Sequence, residues 1–199
     1  MRIDRERARR AFADYVAAYD PNSSRIALKI AHTYRVAEIA ARIAGAEGLS
    51  AEDVDLAWLC GLVHDVGRFE QVRRWNTFRD ADSASHALLG VGALFGPRER
   101  LGVPVGGTGA GMPRIRDFAA DKSEDELIRT AVALHSDYRL PNGLDARTRT
   151  FCELTRDADK VDILRTVDTD TPETLLGCTT DELLGSSLST EAVAAFDER

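Results

Sequence analysis

Six side chains in this sequence could do chemistry together. They are His32, the adjacent pair His64-Asp65, His86, His135 and Asp159, and the chain contains no other histidine. Imidazole and carboxylate, with no thiolate among them, suit borderline to harder divalent metals such as iron, manganese, cobalt, nickel or zinc. The His-Asp pair closes an apolar run, Leu62-Val63, and is followed by Gly67 and Arg68. A lone histidine on an apolar face more often satisfies a buried hydrogen bond than it holds a metal. Several of them on different helices reverse that reading, because helical bundles build metal sites from inward-projecting side chains of facing helices.

Holding these residues together requires helices, and the apolar periodicity supplies them. A first helix is expected from about Asp4 to Tyr19, with Phe12, Tyr15, Val16 and Tyr19 at three- and four-residue steps, until Pro21 interrupts it. The second is expected from about Arg25 to Ala46, where Leu28, His32, Val36, Ile39 and Ile43 form one stripe. His32 therefore points inward. Ser50-Ala51-Glu52-Asp53 reads as the capped start of a third helix, whose apolar face of Ala57, Leu59, Cys60, Leu62 and Val63 leads to His64-Asp65 at a buried helix end. Gly67 is expected to let the backbone turn there and deliver Arg68 beside the pair.

A short helix is expected over Phe69 to Trp75, and another beginning near Asp82 or Ser83, which carries His86, Leu89, Val91, Leu94 and Phe95 to Gly96-Pro97. Residues 97–122, rich in glycine, read as a flexible loop, either a lid or an insertion without a role. Ser123-Glu124-Asp125-Glu126 reads as a capping box opening a helix with Leu127, Ile128, Ala131, Leu134 and His135 on its inner side. A further helix from about Asp145 brings Phe151, Leu154 and Ala158 to Asp159. Thr171-Pro172 starts a short helix, and Ser189 or Thr190 caps a last one. Nothing reads as a strand or a repeat. The fold class is all-α, with residues 1–199 as one domain.

Composition narrows the partners. A chain of 199 residues can bury a core without staples. No apolar run approaches the roughly 20 residues that span a bilayer. A net charge of -7 argues against polymeric nucleic acid and acidic membranes as partners. A small phosphorylated substrate needs only local cations and is compatible with that charge. The three cysteines Cys60, Cys152 and Cys178 are far apart and have no CxxC spacing, which argues against a disulfide framework or a thiolate zinc site. Cys60 is expected to pack as a small buried hydrophobe. Trp75 is expected to pack in the core or at its rim rather than stack on a base. Without a secretory pattern at Met1-Arg2-Ile3, the expected location is the cytoplasm. The oligomeric state has no signature.

The order of the six residues resembles the HD-domain superfamily of metal-dependent phosphohydrolases, from about Arg25 to Leu164. The resemblance implies a helical bundle with the metal site in its core. His32, His64, Asp65 and Asp159 match the basic metal set. His86 and His135 match the extra histidines of the binuclear branch, in which Asp65 would bridge two divalent ions, magnesium being admitted as well. The implied activity is phosphomonoester or phosphodiester hydrolysis of a nucleotide or other phosphate ester. Two metals about 3.5 to 4 Å apart would lower the pKa of a water between them and neutralise phosphoryl charge.

Asp65, Arg68 and Lys160 are the expected catalytic residues, with Arg68 and Lys160 contacting phosphate. Arg68 stands where the superfamily's cyclic-di-GMP phosphodiesterases have the lysine of a His-Asp-x-Gly-Lys turn, and guanidinium grips phosphate bidentately. A structural salt bridge is its other reading, and Lys160 could instead pair with Asp157 or Asp162. Asp162 reads as a carboxylate on the helix surface or behind a ligand. Arg73, Arg74, Arg79 and Arg139 read as solvated charges. The chain lacks the Glu-Asp pair of guanosine tetraphosphate hydrolases and the Gly-Tyr-Pro triplet of the cyclic-di-GMP branch. Two other readings stay open: a di-iron oxygenase, which shares the six-residue order, and a non-catalytic regulatory module. Gly67-Arg68 favours hydrolysis, and the intact ligand set favours an enzyme.

Overall fold

Ser23, Ser50 and Asp145 begin the three longest helices in the same way. Each side-chain oxygen accepts a hydrogen bond from the backbone N–H three residues on, at Ile26, Asp53 and Thr148. Such caps contribute about 1 kcal/mol each. They open α2 (Ser24–Ala46), α3 (Ala51–Val63) and α8 (Ala146–Thr169) in a computed structural model that describes residues 2–96 and 112–197. The remaining helices are α1 (Arg5–Val16), α4 (Val66–Trp75), α5 (His86–Phe95), α6 (Ile115–Phe118), α7 (Asp125–Leu134), α9 (Pro172–Leu175), α10 (Thr180–Leu184) and α11 (Thr190–Asp197). The described residues form no strand, as the all-α reading expects.

Helix α2 packs on α3 and α8, α8 also packs on α3 and α7, and α5 bridges α4 and α7. Close approach is possible because small residues face each other. A Cβ on Gly61 would lie 2.8 Å from the Ala37 Cα, so α2 and α3 touch backbone to backbone. Around this pair Trp58, Phe12, Phe69, Phe118 and Phe151 are fully buried. The apolar area they remove from water is the main favourable term holding the bundle.

Helix α1 fastens the segment after the His-Asp pair. The Tyr15 hydroxyl donates to the Val66 carbonyl at 2.9 Å, and the Tyr19 hydroxyl donates to Glu70 at 2.9 Å. Glu70 is buried, and its carboxylate is matched by Arg73 at 2.7 Å and Arg74 at 3.0 Å. Those two arginines are therefore not plain solvated charges. They compensate a buried carboxylate, which would otherwise be costly.

Several local expectations are corrected. Helix α4 begins at Val66, directly after the pair, and Gly67 lies inside it without a positive φ. Its role is proximity: a Cβ there would lie 2.1 Å from the His86 carbonyl oxygen and 2.5 Å from the Gly90 nitrogen. Helix α5 starts at His86, later than expected, because Asp80–Asp82 forms a 3-10 turn and Ser85 supplies the cap. Most of the expected loop, residues 97–111, lies outside the described residues, but its far end forms α6, with Ile115 and Phe118 buried. Helix α7 has no side-chain cap at Glu124, since the Ser123 N–H turns back to Asp121. A capping box does occur at Thr179 and Glu182, opening α10, which the sequence reading missed. Cys60 is buried as expected, and burial pushes its thiol pKa up. Trp75 sits at the rim with the Arg74 guanidinium 5.9 Å from its ring centre. Among the described residues, no helix is long and apolar enough to cross a membrane.

Two glycines separate proximity from flexibility. Gly67→Ala is expected to destabilise the protein by about 1–3 kcal/mol, because overpacking pushes α4 from α5. Gly45→Ala, where a Cβ meets nothing within 4 Å, is expected to stabilise it by roughly 0.5–1 kcal/mol through helix propensity. Urea denaturation of both variants measures the difference.

Candidate metal centre

All six sequence-predicted residues are brought together, and all six are buried. Two come from helix interiors, His32 from α2 and Asp159 from α8. The other four stand at helix ends. His64 and His135 are the residues immediately after α3 and α7, Asp65 precedes α4, and His86 is the first residue of α5. Asp65 occupies a capping position but makes no capping hydrogen bond, because its carboxylate turns into the cluster instead.

Every imidazole is fixed through Nδ1. His64 and His135 face the carbonyls three residues back, Gly61 at 2.6 Å and Val132 at 2.8 Å. A carbonyl can only accept, so both rings donate from Nδ1. His32 Nδ1 lies 2.8 Å from Asp162, and His86 Nδ1 lies 2.7 Å from Asp80. Asp162 thus stands behind a cluster histidine rather than inside the cluster. In the neutral rings this arrangement leaves each Nε2 with a lone pair directed inward.

The inward atoms lie close to one another. Asp65 Oδ2 is 3.4 Å from His64 Nε2 and 3.7 Å from His32 Nε2, while Oδ1 is 3.5 Å from His135 Nε2 and 3.6 Å from His86 Nε2. Asp159 Oδ1 is 3.1 Å from His32 Nε2 and 3.6 Å from His64 Nε2. The His86 and His135 Nε2 atoms are only 3.0 Å apart. Since both rings donate from Nδ1, two lone pairs would face each other there in the neutral rings, a repulsion that a proton on one Nε2 or a metal ion bound by both would remove. His32 Nε2, His64 Nε2 and Asp65 Oδ1 are buried without a hydrogen-bond partner among the described residues. Buried polar atoms left unmatched cost stability, so these donors fit a cation. Two groups have ligand atoms close enough to hold a metal ion: His32, His64 and Asp159, and His64, Asp65 and His135.

The protonation equilibria carry the same tension. Burial alone would lower the pKa of His64, but Asp65 and Asp159 overcome it and raise it to about 9. Burial lowers that of His86 to about 4, with Arg68 and His135 acting in the same direction against Asp65. Burial opposes ionisation of Asp159, yet the neighbouring His32 and His64 hold its pKa well below the usual carboxylate range. Asp65 is likewise held low against the penalty of burial, chiefly by Lys29 and His64.

Lys29 is one residue that sequence reasoning missed, and Asp80, behind the His86 ring, is another. Its Nζ lies 2.6 Å from Asp65 Oδ2, as a nearly buried ion pair. Three residues before His32, it shares the inner face of α2, and a lysine on an otherwise apolar stripe was the available signal. Arg68 is present but heavily engaged. Its Nη1 donates to Gln71 at 2.7 Å, to the Phe78 carbonyl at 2.6 Å and to Asp80 at 3.1 Å, and its Nε is 3.5 Å from Asp65 Oδ1. The salt bridge and the approach to the cluster therefore coexist. Lys160 is exposed, and no hydrogen bond or ion pair among the described residues joins it to the cluster. One residue past Asp159, it is rotated about 100° around α8.

The HD-domain family model matches residues 30–164, so the chain belongs to the HD-domain family, whose members are typically metal-dependent hydrolases. No curated protein and no solved structure matches the chain.

Removing the group behind a ring tests the cluster as a metal centre. Asp162→Ala is expected to weaken divalent-metal affinity by about 10–100-fold while the helical content is retained. Metal titration by calorimetry, with circular dichroism as the check on fold, measures both.

Proposed function

We propose that this protein is a metal-dependent phosphohydrolase acting on a small phosphorylated substrate at a binuclear centre. The observation that carries the reading is the placement of Asp65. One carboxylate oxygen faces His64 and His32, and the other faces His135 and His86, all within 3.7 Å. A carboxylate facing two histidine pairs is suited to serve two ions. His32, His64, Asp65 and Asp159 would hold one, and Asp65, His86 and His135 the other. Bound divalent ions would supply Lewis acidity at the phosphoryl oxygens and a water-derived nucleophile near neutral pH.

The chain's own residues do the rest. Lys29 and Arg68 place two positive charges beside Asp65, where they attract and orient a phosphate that the acidic surface would otherwise repel. The burial of the cluster keeps bulk water from screening those charges. Asp80 holds the His86 ring and the Arg68 head group at once, which fixes their relative position. Lys160 has no part in this arrangement.

Two measurements test the proposal. The protein reconstituted separately with Mn, Co, Ni and Fe(II) is expected to release phosphate from nucleotides or other small phosphate esters. Substrate-dependent oxygen uptake without phosphate release, with anaerobically prepared protein, would instead establish oxygenase chemistry. Asp65→Ala is expected to lose turnover by at least about 10²–10³-fold, a typical cost of removing a key electrostatic group. It is also expected to fall below one equivalent of bound metal, as read by elemental analysis. Retention of two metals would show that Asp65 does not serve both ions.

A further inference from the structure

A pocket of about 360 Å³ opens beside the cluster, lined at its inner end by Lys29, His32 and Arg68. That size is at the lower end of the roughly 300–1,000 Å³ of small-molecule sites. The two ends differ in chemistry. At the inner end both cations touch Asp65, Lys29 at 2.6 Å and Arg68 at 3.5 Å, so an anion held there adjoins the six-residue cluster. Lys29 and Arg68 also lie over the Phe78 ring, at 5.4 and 5.8 Å from its centre, which fixes their direction.

Away from that end the lining is mostly hydrocarbon. Ile163 and Val167 come from the last turns of α8, Leu175 and Leu176 from the end of α9, and Leu183 from α10. The remaining polar lining is already engaged: the Thr166 hydroxyl donates to the Ile163 carbonyl at 2.8 Å, Arg79 pairs with Asp82 at 3.0 Å, and Asp170 accepts from the Thr169 hydroxyl at 3.0 Å. A nucleobase or sugar placed against this wall would bury donors and acceptors without partners, at a cost in affinity. An alkyl group would not. The family match ends at residue 164, so most of the hydrocarbon wall lies beyond the segment that supplies the cluster. Val167 is 67% exposed and Leu176 49%, and both border the pocket.

We propose that this pocket takes the phosphate monoester of an apolar alcohol. The phosphate lies against Lys29 and Arg68, and the hydrocarbon lies along Ile163, Val167, Leu175, Leu176 and Leu183. The inference rests on the phosphohydrolase reading and narrows its substrate. In the reaction, water adds to phosphorus, the phosphorus–oxygen bond to the alcohol breaks, the alcohol oxygen takes a proton, and inorganic phosphate remains.

The test reads binding apart from turnover. Butyl-, hexyl- and octylphosphonate, which cannot be hydrolysed, are titrated calorimetrically into the full chain. Affinity is expected to rise roughly three- to fourfold per methylene, the usual gain from burying one. Val167→Asp and Leu176→Asp alter partly exposed positions, so the fold is expected to persist, as circular dichroism checks. Each is expected to lower octylphosphonate affinity by about tenfold or more, since a charge then faces the chain. An affinity independent of chain length in the unmodified protein overturns the proposal. So does octanol binding as tightly as octylphosphonate, because the cations then play no part. Release of phosphate from hexyl phosphate is measured in parallel. A chain-length gain without phosphate release keeps the pocket assignment and removes the phosphohydrolase reading. Phosphate release from glycerol phosphate with a flat phosphonate series removes the pocket assignment and keeps the phosphohydrolase reading.

Discussion

Four imidazoles and two carboxylates share the interior of this bundle, and their lone pairs converge on the same small volume. Such convergence is unfavourable unless every ring is held from behind, because a free imidazole would rotate to a less crowded orientation. The molecule holds each ring through Nδ1, twice with a carbonyl of the preceding helical turn and twice with a carboxylate. The repeated device at His64 and His135 is economical. A helix leaves its last carbonyls unmatched, and a histidine at the next position both satisfies one of them and aims its other nitrogen forward.

The packing of the helices follows from that requirement. The approach of α3 to α2 at Gly61, and of α4 to α5 at Gly67, brings helix ends within reach of one another. With bulkier residues there, the termini bearing His64, Asp65 and His86 would stand too far apart to share a centre. Tyr15 and Tyr19 add a clasp from α1 to the start of α4, so the residues following the pair are held from outside as well as within.

Much of this was legible from residue order. His32 lies on a regular apolar stripe, and the run before His64-Asp65 marks a buried helix end, so periodicity placed both inward. His86 and His135 were placed on their helices by the same pattern, but their role in a second metal position came only from the resemblance, because one begins a helix and the other follows one. Lys29 went unnoticed because a lysine on an apolar stripe looks like an exposed residue at the edge of the face, yet its stem is buried and its head reaches Asp65. Asp80 was invisible for another reason: it stands on a 3-10 turn with no periodic pattern around it. Lys160 shows the opposite case, in which residue type suggested phosphate and the helical register leaves the side chain exposed, away from the cluster. The hydrocarbon wall of the pocket could not be foreseen, since nothing about Leu175, Leu176 and Leu183 in sequence says that they reach back to α2.

Asp80 carries a consequence of its own. This one carboxylate, 37% exposed at its side chain, receives the His86 ring, the Arg68 guanidinium and the Gln71 amide. Those three side chains therefore share a single anchor. A change at Arg68 alters the basicity of His86, which the guanidinium lowers, and a replacement of Asp80 unfastens both together. The carboxylate thus ties the orientation of a cluster imidazole to that of the neighbouring guanidinium, so neither can be repositioned alone.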